Sequence, residues 1–217
     1  MLSKRINSLP ASATLAMAAK ARELKNKGVD IIGLSLGEPD FNTPEFIKEA
    51  AIQAVKDNFN SYSPVDGYVD LKAAICEKFK RDNGLNYKPS QVVVSTGAKQ
   101  SIANVCMVLL NPGDEVLLPA PYWVSYSAIS TLAESKSIII NSSIENDFKI
   151  TPEQLEAAIT PKTKLVMFNS PNNPSGTIYT ESEYRRLGAV LKKYPNIYIL
   201  SDEIYEHINY GTPHFSI

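Results

Sequence analysis

From about residue 90 onward, short apolar runs rich in β-branched residues alternate with longer stretches in which apolar residues recur at helical spacing. The runs "QVVV" at 91–94, "DEVLL" at 114–118, "SIII" at 137–140, "KLVMF" at 164–168 and "NIYIL" at 196–200 read as strands. Between them, 98–110, 123–133, 152–159 and 180–193 read as helices, the third with Thr151 as N-cap and Pro152 in its first position. Strands alternating with helices imply a mostly parallel sheet covered by helices on both faces, an α/β domain.

Before residue 90 the alternation is absent. Two helical patterns, 44–57 and 68–82, follow the Gly- and Pro-rich "GLSLGEPDFNTPE", in which Thr43 is expected to cap a helix begun by Pro44. No internal repeat or low-complexity segment breaks the chain. Residues 1–45 therefore read as an arm and the edge of a small domain, and 46–217 as the large α/β domain.

Composition narrows the class further. Twenty-two basic and twenty-three acidic residues leave a net charge of -1 with no basic stripe, which argues against a nucleic-acid groove. Residues 116–133 carry no charge, but Pro119, Pro121 and several hydroxyl residues argue against a membrane span, because lipid leaves a broken backbone unpaired. Lys4 and Arg5 followed by "LPASATLAMAAK" imitate a secretion signal only faintly, the middle being short and rich in Ser, Thr and Ala. Cys76 and Cys106 lack metal-ligand or CxxC spacing and read as free thiols in a reducing compartment, so the expected location is the cytoplasm.

In open α/β sheets, ligands gather at the carboxyl ends of the strands, and the notable polar groups of this chain fall there. In "STGAKQS", Gly97 permits a tight turn into a helix whose free N–H groups suit a phosphate; the plainer reading is an ordinary turn with Lys99 in solvent. In "PAPYWVSY", Trp123 can stack on a flat ring or simply pack. In "NSPNNPSG", three Asn and two Pro make a rigid polar loop in which Asn173, before Pro174, presents an amide.

In "SDEIYEHI" three readings compete. A nucleotide-triphosphatase acidic pair needs a G-x-x-x-x-G-K-[ST] loop, which does not occur here. Asp202, Glu203, Glu206 and His207 could ligate a metal, although they satisfy no fixed spacing rule. A single buried carboxylate, Asp202, could instead face a cationic ring nitrogen while Tyr205 reaches a second atom of the same ring.

Taken in order, "GEPDF", "STGAKQ", "APYWVSY", "NSPNNPSG" and "SDEIYEHI" resemble the aspartate aminotransferase family, fold type I of the pyridoxal 5'-phosphate (PLP) enzymes. Within it they are most similar to the subgroup containing bacterial aspartate and aspartate/prephenate aminotransferases, and the resemblance spans nearly the whole chain. It implies that Gly97, Ala98 and Lys99 lie at the cofactor phosphate and that Trp123 stacks on the pyridine ring. It also places Asp202 at the ring nitrogen, Asn173 and Tyr205 at the phenolic oxygen, and Gly37, Trp123 and Asn173 at the substrate. Tyr62, in "SYSPVDG", takes the position that reaches a neighbouring subunit's phosphate, which implies a homodimer. Ser12 and Thr14 correspond to positions near the substrate, while Glu203 is left without a chemical role and His207 is expected to pack or cap. The substrates implied are amino acids and 2-oxo acids, with aspartate and 2-oxoglutarate first and prephenate, aromatic amino acids or alanine as alternatives.

One departure stands out. The family's Schiff-base lysine follows the strand bearing the Asp and Tyr, with Ser and Arg ligands and a carboxylate-binding Arg further on, yet no Lys or Arg follows Lys193 here. The expectation is the amino-terminal portion of a longer enzyme, inactive alone, with the lysine beyond Ile217. The competing class is a binding or interaction protein that holds PLP or an amino acid without turnover.

Overall fold

The computed structural model describes the chain except residues 1, 10, 12, 34–36 and 38–40 and the side chain of residue 13. Its residues fall into two compact units, 10–64 on one hand and 1–9 with Val65–Ile217 on the other.

A one-turn helix, α1 (Lys4–Asn7), is capped by Ser3. Unit 10–64 holds helices α2 (Ala13–Asn26) and α3 (Glu45–Lys56). The α3 N-cap is Pro44 itself, and no side chain bonds into the first turn. The expected Thr43 cap is thus corrected: the helix starts one residue later, so Pro44 rather than Thr43 stands at the boundary, and Pro44 has no side-chain acceptor to offer.

In the larger unit, α4 (Val69–Asn83) ends at Gly84 in the left-handed region, φ 70°. A single 3₁₀ turn, Pro89–Gln91, follows, and then α5 (Ala98–Leu109). The run 91–94 is not a strand. Val92 is extended, but its N–H turns back to the Pro89 carbonyl and that of Val94 reaches Asp66, so the run shares no ladder among the described residues. Strand propensity without a hydrogen-bonding neighbour leaves extended coil.

The expected α/β alternation follows: β1 (Glu115–Ala120), α6 (Ser125–Leu132), β2 (Lys136–Asn141), α7 (Pro152–Ala158), β3 (Thr163–Asn169), α8 (Glu181–Leu191) and β4 (Tyr198–Asp202). Thr151 caps α7 in a reciprocal box with Gln154, and Thr180 caps α8 in the same way with Glu183. All strand pairings are parallel, in the order β2-β1-β3-β4. β4 runs two residues further than its apolar run suggests and takes Asp202 as its last member, paired with Asn169 of β3.

The two-residue period of the strands deals their side chains to two cores. Leu117, Val166 and Phe168 go to one face, with Leu155 of α7 and Tyr184, Leu187 and Leu191 of α8. Val116, Leu118, Leu165 and Met167 go to the other, with Ile102 and Cys106 of α5 and Tyr126 and Ile129 of α6. This helix–sheet–helix layering fixes the carboxyl ends of β1, β3 and β4, from which the polar loops emerge.

Candidate active site

The site is built where β3 and β4 end side by side. Asn169 and Asp202 are register partners and both are buried. The Asn169 amide donates to the Asp202 carbonyl at 2.9 Å, and its Oδ1 accepts from the Asn173 N–H at 2.8 Å. Asn169 therefore holds the end of β4 and the following loop in one place, using both halves of its side chain.

Asn172 does the same for the loop. Its Oδ1 accepts from the Ser175 N–H and hydroxyl, and its Nδ2 donates to the Pro121 carbonyl beyond β1 at 3.3 Å. Of the three Asn in the loop, two are thus scaffold, and Asn173 directs its Nδ2 to the Tyr205 hydroxyl at 3.3 Å.

Asp202 is 8 % exposed, so a charge there needs partners. One oxygen accepts from the Tyr126 hydroxyl at 2.7 Å, the other from the Ile204 N–H at 3.2 Å. Burial, reinforced by the Asp202 carboxylate, pushes the Tyr126 hydroxyl far above the usual phenol range, which keeps it a donor. A carboxylate offers about four acceptor sites, so the two donors leave room for another.

Tyr126 packs edge-on against Trp123 at 5.5 Å between ring centroids, and the Lys99 ammonium lies 4.9 Å from the Trp123 ring centroid. Contacts therefore run without a break from Lys99 through Trp123, Tyr126, Asp202 and Asn169 to Asn173 and Tyr205. Trp123 is half-buried and Lys99 exposed.

The start of α5 contributes backbone. Gly97 adopts φ 83° and ψ 161°, a conformation closed to side-chain-bearing residues, and the Thr96 N–H is taken by the Gln100 side chain at 2.6 Å. The N–H groups of Ala98 and Lys99 meet no protein acceptor among the described residues.

The structure thus brings together Asp202, Tyr205, Asn173, Trp123 and Lys99, with Gly97 and Ala98 adjoining Lys99. Tyr62 and Gly37 belong to unit 10–64, where both are exposed; Thr14 lies in α2, and Ser12 lies outside the described residues. Sequence reasoning missed Tyr126 and Asn169. Tyr126 stands three residues after Trp123 on the same helical approach, and Asn169 closes an apolar strand, which were the available signals.

The acidic group does not converge on one point. Glu203 turns to His214 and Ser216, Glu206 to Lys78 and Asn83, and His207 is exposed rather than packing or capping. No cluster of three or more His, Cys, Asp or Glu that could hold a metal occurs among the described residues. The donor set instead fits PLP: a buried carboxylate with acceptor capacity to spare, an amide and a phenol side by side, and free N–H groups at a helix start.

Comparison with known proteins agrees with this chemistry. The family of class I and II aminotransferases matches residues 29–217, and the chain belongs to it; the family is PLP-dependent. Among its relatives, the aspartate/prephenate aminotransferase of Nitrosomonas europaea is 52% identical over 95% of this chain and 52% of its own length. The aspartate aminotransferase of Bacillus subtilis is 50% identical over 97% of this chain and 53% of its own. The crystal structure of the Rhizobium meliloti aspartate aminotransferase superposes with a TM-score of 0.96 at 45% identity, covering all of this chain and 54% of that one. The chain thus spans about half the length of the curated relatives it matches. No described helix is long and apolar enough to cross a membrane.

Proposed function

We propose that this chain is the amino-terminal part of a cytoplasmic, homodimeric PLP-dependent aminotransferase that moves the amino group of L-aspartate to 2-oxoglutarate. The observation that carries the reading is the buried Asp202 carboxylate, held by Tyr126 and set beside the paired Asn173 amide and Tyr205 hydroxyl. The choice of aspartate rests on relatives named for it, several of which are also named for prephenate, and 2-oxoglutarate rests on the family resemblance. In this reading residues 1–45 form the arm and the edge of a small domain, and 46–217 belong to the large domain.

Bound PLP supplies an electron sink for the charge left at the substrate α-carbon when its proton departs. Asp202 would hold a proton on the ring nitrogen through a charge-assisted hydrogen bond, which its burial would strengthen by excluding water. Tyr126 fixes the carboxylate's rotamer. Asn173 and Tyr205 would donate to the phenolic oxygen, and Asn173 would also bind the substrate carboxylate; Gly37 is assigned to the substrate by the resemblance alone. The Ala98 and Lys99 N–H groups, at the positive end of α5, would hold the phosphate, and Trp123 would supply the aromatic face for the ring. Tyr62 completes the partner subunit's phosphate site.

The lysine that bonds to the cofactor is assigned to sequence following Ile217, since Lys99 sits in the phosphate segment and none follows Lys193. The test compares the 217-residue chain with the product of the complete reading frame. The complete product is expected to be yellow, to be bleached by hydroxylamine and to transaminate aspartate. A complete product that binds PLP but transfers no amino group from any donor would overturn the reading in favour of a binding protein, and a yellow 217-residue chain would overturn the placement of the lysine.

A further inference from the structure

Asp202 and Glu203 are neighbours in sequence, yet their carboxylates serve different surroundings. Glu203 has no role in the chemistry above, but its side chain is only 18% exposed and collects four donors. Oε1 accepts from the Ser201 hydroxyl at 2.8 Å and the Ile217 N–H at 3.3 Å. Oε2 accepts from His214 Nε2 at 3.0 Å and the Ser216 hydroxyl at 2.6 Å. Every acceptor site of the carboxylate is filled. His214 is 8% exposed, and its Nδ1 has no partner among the described residues, so Glu203 is the polar group that holds this imidazole in place.

The segment 203–206 is the turn that carries Tyr205. It is closed by the Glu206 N–H on the Glu203 carbonyl at 3.0 Å, and the Ile208 N–H reaches the Tyr205 carbonyl at 2.8 Å. Its far end is fixed in the same way: Glu206 accepts from Lys78 and from the Asn83 amide, both on α4. Burial works against the Glu206 charge, but Lys78 and Asn83 outweigh it and hold the carboxyl below its ordinary range. The turn is therefore clamped by one carboxylate two residues before Tyr205 and another one residue after it. Neither carboxylate bonds to Asn173, whose Nδ2 instead donates to the Tyr205 hydroxyl.

We propose that Glu203, through His214 and Ser216, is a positioning residue that sets the placement of the Tyr205 hydroxyl and the Asp202 carboxylate and thereby tunes the bound cofactor. The cofactor part rests on the function proposed above; the clamp itself does not. Removing the Glu203 charge leaves His214 and two hydroxyls facing a weaker or wrongly disposed acceptor, and the turn loosens at its amino end. His214→Gln keeps a donor near Nε2, whereas His214→Leu removes it.

The experiment uses the complete gene product with Glu203→Gln, His214→Gln, His214→Leu and Ser216→Ala, with Tyr205→Phe as the benchmark. The first readout is amide hydrogen exchange without cofactor. Glu203→Gln and His214→Leu are expected to speed exchange at Glu206 and Ile208 about tenfold, the effect of losing one hydrogen bond to a charged group, while β3 is unchanged and His214→Gln stays near wild type. The second readout is the apparent pKa of the bound cofactor's absorbance, expected to move in Glu203→Gln and His214→Leu in the same direction as in Tyr205→Phe and to stay near wild type in His214→Gln. Unchanged exchange in the turn, or equal acceleration in β3, overturns the clamp; accelerated exchange with a wild-type absorbance titration overturns the link to the site. A wild-type product that takes up no PLP refutes the proposed function, and the exchange arm then decides the clamp alone. If Glu203→Gln does not fold, Ser216→Ala carries both readouts in its place.

Discussion

The carboxyl ends of β3 and β4 and the amino end of α5 meet at one site but are built from different material. At the strand ends, side chains do the holding: Asn169 ties loop to strand, Tyr126 ties α6 to Asp202, and Asn173 meets Tyr205. At α5, backbone conformation does it. Gly97 makes the turn at positive φ, and the approach to it is steadied by Gly67, where an added Cβ would come within 2.5 Å of Val94 Cγ2. The first region is organised before any ligand arrives and is sensitive to loss of one polar atom. The second offers only N–H directions, so it tolerates side-chain change but not a change of backbone freedom.

That contrast can be broken from either side. Gly67→Ala should have the largest effect, because it combines φ 102° with a clash against Val94. A stability loss of roughly 2 to 4 kcal/mol is expected from strain and overpacking together, read from the denaturation midpoint. Asp202→Asn keeps the shape of the strand end and removes its charge. In the complete gene product, kcat/KM for amino transfer should fall on the order of 100-fold with little change in stability.

Tyr126→Phe tests the same end more gently. It leaves a buried carboxylate short of one donor, and about 1 to 2 kcal/mol of stability should be lost, together with a fall in kcat that disappears in the Asp202→Asn background. High pH should act on the buried cores on both faces of the sheet as well. Burial pushes Tyr179 up to about 12 from 10.0 and Cys106 up to about 11 from 9.0. Between the unfolded and folded values the native chain holds more protons than the unfolded one, so these groups contribute stability below pH 9 that is lost progressively from there to pH 12. Urea midpoints at pH 8, 10 and 11 should fall in that order. The smallest effect is expected from Lys78→Met, which removes a partly exposed partner of Glu206: about 1 kcal/mol or less, with salt reducing the difference.

The parts legible in the sequence were those whose cause is local. Thr151 and Thr180 with their partners three residues on mark helix starts, and the apolar runs mark β1, β2, β3 and β4. Asp202, Asn173 and Tyr205 could be singled out because rigid polar loops at strand ends are where an α/β sheet places its chemistry. What remained hidden depends on register and on distant partners. The opposition of Asn169 and Asp202 is fixed by the β3–β4 pairing, and Tyr126 meets a carboxylate 76 residues away. The run 91–94 has strand composition but no ladder neighbour among the described residues, and composition cannot show that. Glu203 looked idle because three of its four donors lie eleven to fourteen residues later, in "HFSI".

β4 forms one margin of the described sheet, and there Tyr198 and Ile199 are each about half exposed, at 49% and 48%. An outermost strand with apolar side chains and unpaired backbone groups recruits whichever strand reaches it first. In a cell making only these 217 residues, that is another copy of the same strand. These 217 residues expressed by themselves should collect in inclusion bodies, and solubility on expression becomes a reporter of whether the β4 edge is covered.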